Sequence, residues 1–155
     1  MIKIAKAFLL ILLISNTISC EVDDICLEEV GTPKLIIRFY DAVEPEDLKE
    51  VDGLYVWAEN KDSLYVNSTT DSIALPINTF ANQTKYLLSK DNVVDTLYLH
   101  HINREIFISR SCGYKFNFEL EEESHTSNEW ITGFETLESP QIIENEQAAH
   151  TKIFH

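Results

Sequence analysis

The chain has 155 residues, of which 26 are acidic and 12 basic, giving a formal net charge of −14. DNA and RNA binding relies on Lys and Arg side chains that neutralise phosphates, so this charge argues against a nucleic-acid partner. The length fits about one domain. With 45% hydrophobic residues and only four glycines and four prolines, the composition indicates a packed core rather than a disordered or collagen-like chain.

The first 19 residues are typical of a secretory signal peptide. Lys3 and Lys6 give it a positive start, and residues 7–14 form an unbroken apolar run of eight. A helix that spans a bilayer needs about 20 apolar residues, so this run predicts a cleaved signal rather than a permanent membrane helix. Cleavage after residue 19 leaves 10 basic and 26 acidic side chains, a net charge of −16.

Cys20 follows directly on Thr17-Ile18-Ser19. A small residue before a cysteine, after a short apolar run, resembles the lipobox of bacterial lipoproteins. The resemblance implies that the Cys20 thiol carries diacylglycerol. Residues 20–32 are then predicted to form a lipidated tether before a folded domain over residues 33–155. Two or more acyl chains anchor a protein stably, whereas the acidic domain is expected to stand off the bilayer. The alternative is a plain secreted protein.

Two cysteines, Cys26 and Cys112, remain if Cys20 is lipidated. In an oxidising compartment, two remaining cysteines predict one disulfide. The alternative is a catalytic thiol at Cys112, because the flanking Arg110 and Lys115 provide the basic neighbourhood that favours a thiolate.

Apolar and polar residues alternate with a period of two over most of the mature chain, which predicts sheets with one buried and one solvated face. Turn-forming residues, among them Asn103-Arg104, separate the apolar runs, mostly at intervals of 8–12 residues. This spacing predicts an all-β fold, a single immunoglobulin-like or transthyretin-like β-sandwich. The predicted strands lie at 35–40, 54–58, 64–67, 72–75, 85–88, 97–100, 106–108 and 114–120, with two more in the tail. One short helix is predicted over 45–50, where Pro45 and the acids after it suit a helix start.

The candidates for catalysis and metal binding are few. His100 and His101 are adjacent on a predicted strand, so their side chains point to opposite faces and cannot share a metal ion without a bulge. The sequence has neither a glycine-rich phosphate loop nor a Gly-x-Ser-x-Gly elbow, so no cofactor and no enzyme activity are predicted. The alternative enzyme would use Cys112 with His100 or His101. The glutamates within 119–123 suit Ca²⁺ and a calcium-dependent adhesion module, but a solvated strand edge explains them better.

Aromatic and hydroxyl side chains on the outward strand faces are the candidate binding and modification sites. Many sandwich modules hold sugars or peptides on such aromatics, unless a loop or second sheet covers them. The aromatics predicted to face outward are Tyr55, Trp57, Tyr65 and Tyr98. Ser63, Ser72 and Thr96 each follow Asp and precede Ile or Leu, which is similar to the O-glycosylation motif of Bacteroidota.

Five motifs resemble an uncharacterised family of Bacteroidota lipoproteins; they lie at 20–26, 32–41, 71–76, 109–115 and 150–154. The resemblance implies an envelope lipoprotein of the outer membrane, facing the periplasm or the cell surface, and brings no activity with it. We therefore predict a non-catalytic binding or structural module. Its expected partners are the lipid bilayer, through acylated Cys20, and a protein or glycan of the envelope.

Overall fold

The computed structural model describes residue 26 and residues 31–155 of the chain. The predicted signal peptide, Cys20 and most of the predicted tether lie outside these described residues. The described chain divides into two units. One contains Cys26 and residues 108–113, and the other contains residues 31–107 and 114–155.

Two packed β-sheets form the structure, and no helix occurs among the described residues. The four-stranded sheet has the order β4-β1-β11-β9, with β1 at Leu35–Tyr40, β4 at Ser72–Leu75, β9 at Gly133–Thr136 and β11 at Thr151–Phe154. The seven-stranded sheet has the order β10-β7-β6-β5-β2-β3, and β8 pairs with β6. Its strands are β2 at Val51–Ala58, β3 at Ser63–Thr70, β5 at Gln83–Lys90, β6 at Val93–Ser109, β7 at Gly113–Leu120, β8 at His125–Thr126 and β10 at Gln141–Ile143. The prediction of an all-β sandwich is confirmed.

The core lies between the inward faces of the two sheets, as the alternation predicts. On β1, Leu35, Ile37 and Phe39 are fully buried, and on β6 Leu97 and Leu99 are fully buried as well. Each such side chain contributes about 1.5–3 kcal/mol when it leaves water, so the apolar stripe drives the pairing of the sheets. Nothing in the part of the chain that the structure covers is a helix long and apolar enough to cross a membrane.

The helix predicted over 45–50 is wrong, because the backbone there closes a loop instead. The side chain of Asp41 accepts hydrogen bonds from the amides of Val43 (2.7 Å) and Glu44 (3.2 Å). The amide of Asp41 donates to the carbonyl of Asp47, and Leu48 forms an isolated bridge with Tyr40. The backbone between Asp41 and Leu48 is therefore bonded as a loop and not as a helix.

The turn predicted at Asn103-Arg104 is also wrong, because β6 runs through it without interruption. The side-chain amide of Asn103 instead donates to the carbonyls of Thr79 and Ala81, each at 3.0 Å. The polar side chain of Asn103 thus bonds the loop before β5 and does not form a turn. The tail also differs from the prediction of two strands, since four short strands, β8 to β11, follow residue 120.

Candidate functional site

Cys26 and Cys112 form a disulfide with a Cα–Cα distance of 4.9 Å. The predicted bridge is therefore confirmed. A disulfide sulfur carries no thiolate, and the thiolate is the nucleophilic form of cysteine. In this state Cys112 cannot serve as the nucleophile of the alternative enzyme.

His101 is a buried histidine whose ring nitrogens are both bonded. One ring nitrogen lies 2.9 Å from Thr84 Oγ1 and the other 2.7 Å from Asn103 Oδ1. The amide nitrogen of Asn103 already donates to backbone carbonyls, so its oxygen accepts from the ring and the Thr84 hydroxyl donates to the ring. His100 is half-buried on the opposite face of β6, as adjacent strand residues require. His101 thus holds the loop before β5 and shares no face with His100.

The acidic stretch at 119–123 lines an open groove together with Glu138. Arg104 binds Glu119 through charge-assisted hydrogen bonds from its guanidinium, one of them 3.0 Å long. Within the described chain, no group of three or more His, Cys, Asp or Glu residues is placed to hold a metal ion. The groove therefore presents charge without an assembled set of cation ligands.

The outward face of the seven-stranded sheet carries three of the four predicted aromatics, and we call it the aromatic face. Tyr55 and Trp57 project outward from β2, because Leu54 and Val56 between them are fully buried. Farther across the sheet, Tyr98 stacks on His125 with ring centroids 4.9 Å apart. The ammonium nitrogen of Lys85 lies 5.9 Å from the centroid of the Tyr98 ring.

Tyr55 and Trp57 line an open depression of about 370 Å³ on this face. Its other lining residues are Lys61, Ser63, Ser89 and Asn92. Tyr55 is 39% exposed, and none of the described residues that line the depression is acidic, although the chain carries a net charge of −14. Two aromatic rings beside hydroxyl, amide and ammonium groups can stack on the ring of a ligand and hydrogen-bond its polar substituents.

The prediction that Tyr65 faces outward is wrong. Tyr65 packs against the core, and its hydroxyl accepts a hydrogen bond from the amide of Ala74 at 2.8 Å. The register of β3 against β2 shifts by one residue here, since Val56 pairs with Tyr65 and Trp57 pairs with Ser63. A bulge of this kind redirects side chains along a strand, so simple alternation assigns the wrong face.

The three predicted O-glycosylation residues lie in different surroundings. Ser63 is exposed at the start of β3 and lines the depression. Thr96 is half-buried on β6, and its amide donates to Ser127 Oγ. The Ser72 hydroxyl donates to the carbonyl of Ile37 inside the four-stranded sheet. Only the position of Ser63 adjoins the candidate site; glycosylation of the three stays a prediction.

Asp95, the residue before Thr96, is a buried residue whose structural role was not predicted. Its carboxylate is fully buried and accepts four hydrogen bonds, at 2.6–2.8 Å, from the Ser127 hydroxyl and the amides of Glu129, Trp130 and Ile131. Burial alone would raise the pKa of Asp95, but these hydrogen bonds outweigh it and lower the pKa. The sequence did hold a signal for this buried role, because Asp95 takes an inward position in the alternation that continues with the buried Leu97 and Leu99.

Three buried histidines predict that the fold loses stability in mild acid. Desolvation lowers the pKa of His101, His150 and His155 below their ordinary value. Because the unfolded chain then binds more protons, this stability is complete above the unfolded pKa of about 6.5 and is lost as pH falls through the folded values. Denaturant midpoints should fall between pH 7.5 and 5.5, a range in which ordinary carboxylates stay ionised. A midpoint that is constant or rises on acidification would contradict this.

Comparison with known proteins identifies a family for this chain. The model of a family described as a family of unknown function (DUF6452) matches residues 53–155, which is more than half of the chain. The matched stretch runs from within β2 to the C-terminus, so it includes the depression and Asp95. No curated protein and no solved structure matches the chain. The predicted resemblance to an uncharacterised family is thus confirmed at the level of an unknown-function family, and its lipoprotein character stays a prediction.

Proposed function

The chain belongs to DUF6452, a family of unknown function, and we propose that it is a lipid-anchored envelope protein that binds a saccharide without catalysis. The ligand site is the depression at Tyr55 and Trp57. The observation that carries this proposal is an aromatic depression, free of acidic lining residues, on an otherwise acidic chain.

The chemistry of the depression favours a neutral or acidic sugar. Aromatic rings such as Tyr55 and Trp57 offer flat apolar surfaces to the C–H faces of a pyranose, while Lys61, Ser63 and Asn92 supply hydrogen-bonding groups for its hydroxyls. Lys61 adds a positive charge that a carboxylated sugar would complement. Both aromatics sit on a strand that pairs on both sides, so the platform is formed before the ligand binds and little ordering entropy is lost.

The envelope location is supported by the sequence and by the disulfide. The signal-like residues 1–19 end directly before Cys20, which is the expected acylation site. The bridge between Cys26 and Cys112 fits an exported chain, because disulfides persist in oxidising compartments. The same bridge also supports a role without a cysteine nucleophile.

The ligand is tested on an array of neutral, sialylated and uronic-acid oligosaccharides with the full chain. We expect Trp57→Ala to weaken binding by about tenfold or more, the loss that about 1.4 kcal/mol of stacking would cause. Phe80→Ala is the matched control, because Phe80 is a 97% exposed aromatic outside the depression. Binding of a protein segment instead of any saccharide, or equal binding by Trp57→Ala, would contradict the proposal.

The anchor is tested by fractionating bacteria that produce the chain. We expect the wild-type chain to sediment with the membrane fraction and the Cys20→Ser variant to remain in the supernatant. The physical reason is that two or more acyl chains bind a bilayer stably, whereas an acidic chain without them is repelled by anionic lipids. Equal membrane recovery of the Cys20→Ser chain would contradict lipid anchoring.

A further inference from the structure

We infer that the end of the β6–β7 hairpin lies against the membrane surface and sets the orientation of the domain. The contact surface, here called the hairpin surface, consists of Ile106, Phe107, Tyr114 and Lys115. The contact rests on the lipid anchor proposed above, and it adds which part of the domain faces the bilayer.

The aromatic part of the hairpin surface, Phe107 and Tyr114, continues the core-facing side of β7 beyond the core. Ile106 and Lys115, their neighbours along the two strands, lie on the opposite face of the hairpin end. Along this side Leu120 and Phe118 are buried, Phe116 is partly buried, and Tyr114 is 61% exposed. Across the hairpin, Phe107 is 56% exposed and meets Tyr114 edge to face with ring centroids 5.2 Å apart. Phe107 and Tyr114 therefore remain exposed to solvent, whereas the apolar side chains farther along this side of β7 pack into the core.

The charge of this segment differs from that of the rest of the chain. Residues 106–115 include Arg110 and Lys115 and no acidic residue, although the chain has 26 acids in 155 residues. Aromatic side chains such as Tyr concentrate at membrane–water interfaces, and basic side chains near them attract anionic head groups. An acid-free aromatic end thus complements a bilayer, from which the acidic remainder of the domain is repelled.

The covalent path from the anchor to the hairpin is short. Cys26 lies six positions after Cys20, and six steps of about 3.3–3.6 Å reach no farther than about 22 Å. The disulfide adds a Cα–Cα distance of 4.9 Å to Cys112, which is two residues from Tyr114 along the chain. Without the bridge, the first strand begins 15 residues after Cys20, which permits roughly 50 Å. The bridge therefore holds the hairpin close to the acyl chains.

The contact is tested with full-length acylated protein in vesicles of phosphatidylcholine and phosphatidylglycerol, in which the phosphatidylcholine carries brominated acyl chains. Phe107→Trp and Tyr114→Trp place reporters on the hairpin surface, and the emission of the wild-type chain is subtracted. Val43→Trp is the matched control. Val43 is 87% exposed and lies beyond the far end of β1, whereas Thr32, before β1, accepts a hydrogen bond from the amide of Phe116 on β7.

We expect the brominated lipid to remove most of the added emission of Phe107→Trp or Tyr114→Trp and little of that of Val43→Trp. If the acylated chain floats with the vesicles but shows no such selective quenching, the contact is overturned and the anchor stands. Failure of the acylated chain to float would overturn the anchor and the contact together. The Cys20→Ser chain is also tested for dimers in solution. If it dimerises and the added substitution Phe107→Ser dissociates the dimer, the hairpin surface is a contact between copies and the inference is overturned.

Discussion

Replacing Asp95 with alanine is expected to lower the free energy of unfolding by about 3 kcal/mol or more. The carboxylate satisfies the Ser127 hydroxyl and the amides of Glu129, Trp130 and Ile131 in a segment that contributes Trp130 and Ile131 to the core. Each buried donor left without a partner costs about 1–3 kcal/mol, and three amides and a hydroxyl lose their acceptor at once. Urea denaturation followed by Trp fluorescence measures the change.

Asp95→Asn separates the loss of the acceptors from the loss of side-chain volume. Asparagine keeps the shape of aspartate, but its NH₂ group would face donors, so an intermediate loss of stability is expected. Asp62→Asn is the matched control, since Asp62 is exposed in the turn between β2 and β3. A loss below about 1 kcal/mol for Asp95→Ala would mean that the four hydrogen bonds do not stabilise the fold as described.

Removing the disulfide is expected to cause a loss of similar size, up to about 4–5 kcal/mol. Cys26 and Cys112 are 86 residues apart, and a bridge over a loop of that length strongly restricts the unfolded chain. The double variant Cys26→Ser/Cys112→Ser avoids leaving a reactive thiol and is measured in the same denaturation assay. Reduction of the wild-type chain with dithiothreitol should produce the same shift. A double variant as stable as the wild type would show that the bridge does not stabilise the domain.

The strands were predictable because their burial alternates within a few residues. Leu35, Ile37 and Phe39 give both the existence and the inward face of β1 from the sequence alone. The sheet order was not predictable, because β1 pairs in parallel with β11, for example Ile37 with Thr151, over more than 100 residues. No local pattern encodes a pairing at that distance.

The candidate site was predictable in part for the same reason. Tyr55 and Trp57 alternate with buried apolar residues, and β2 pairs with β5 without a register shift. The period of two therefore predicts correctly that both aromatics face outward. Tyr65 lies beside a bulge and Asn103 bonds a loop more than 20 residues away, so neither role follows from neighbouring residues. Asp95 shows the same limit, because its partners lie more than 30 residues along the chain.

The central claim is that Cys20 anchors the domain to a bilayer. Intact-mass spectrometry of the chain purified in detergent from the membranes of the producing bacteria tests it most directly. We predict a chain that begins at Cys20 and carries the added mass of a diacylglyceryl group. A chain of unmodified mass beginning at or near residue 20, or one that retains residues 1–19, would contradict the claim.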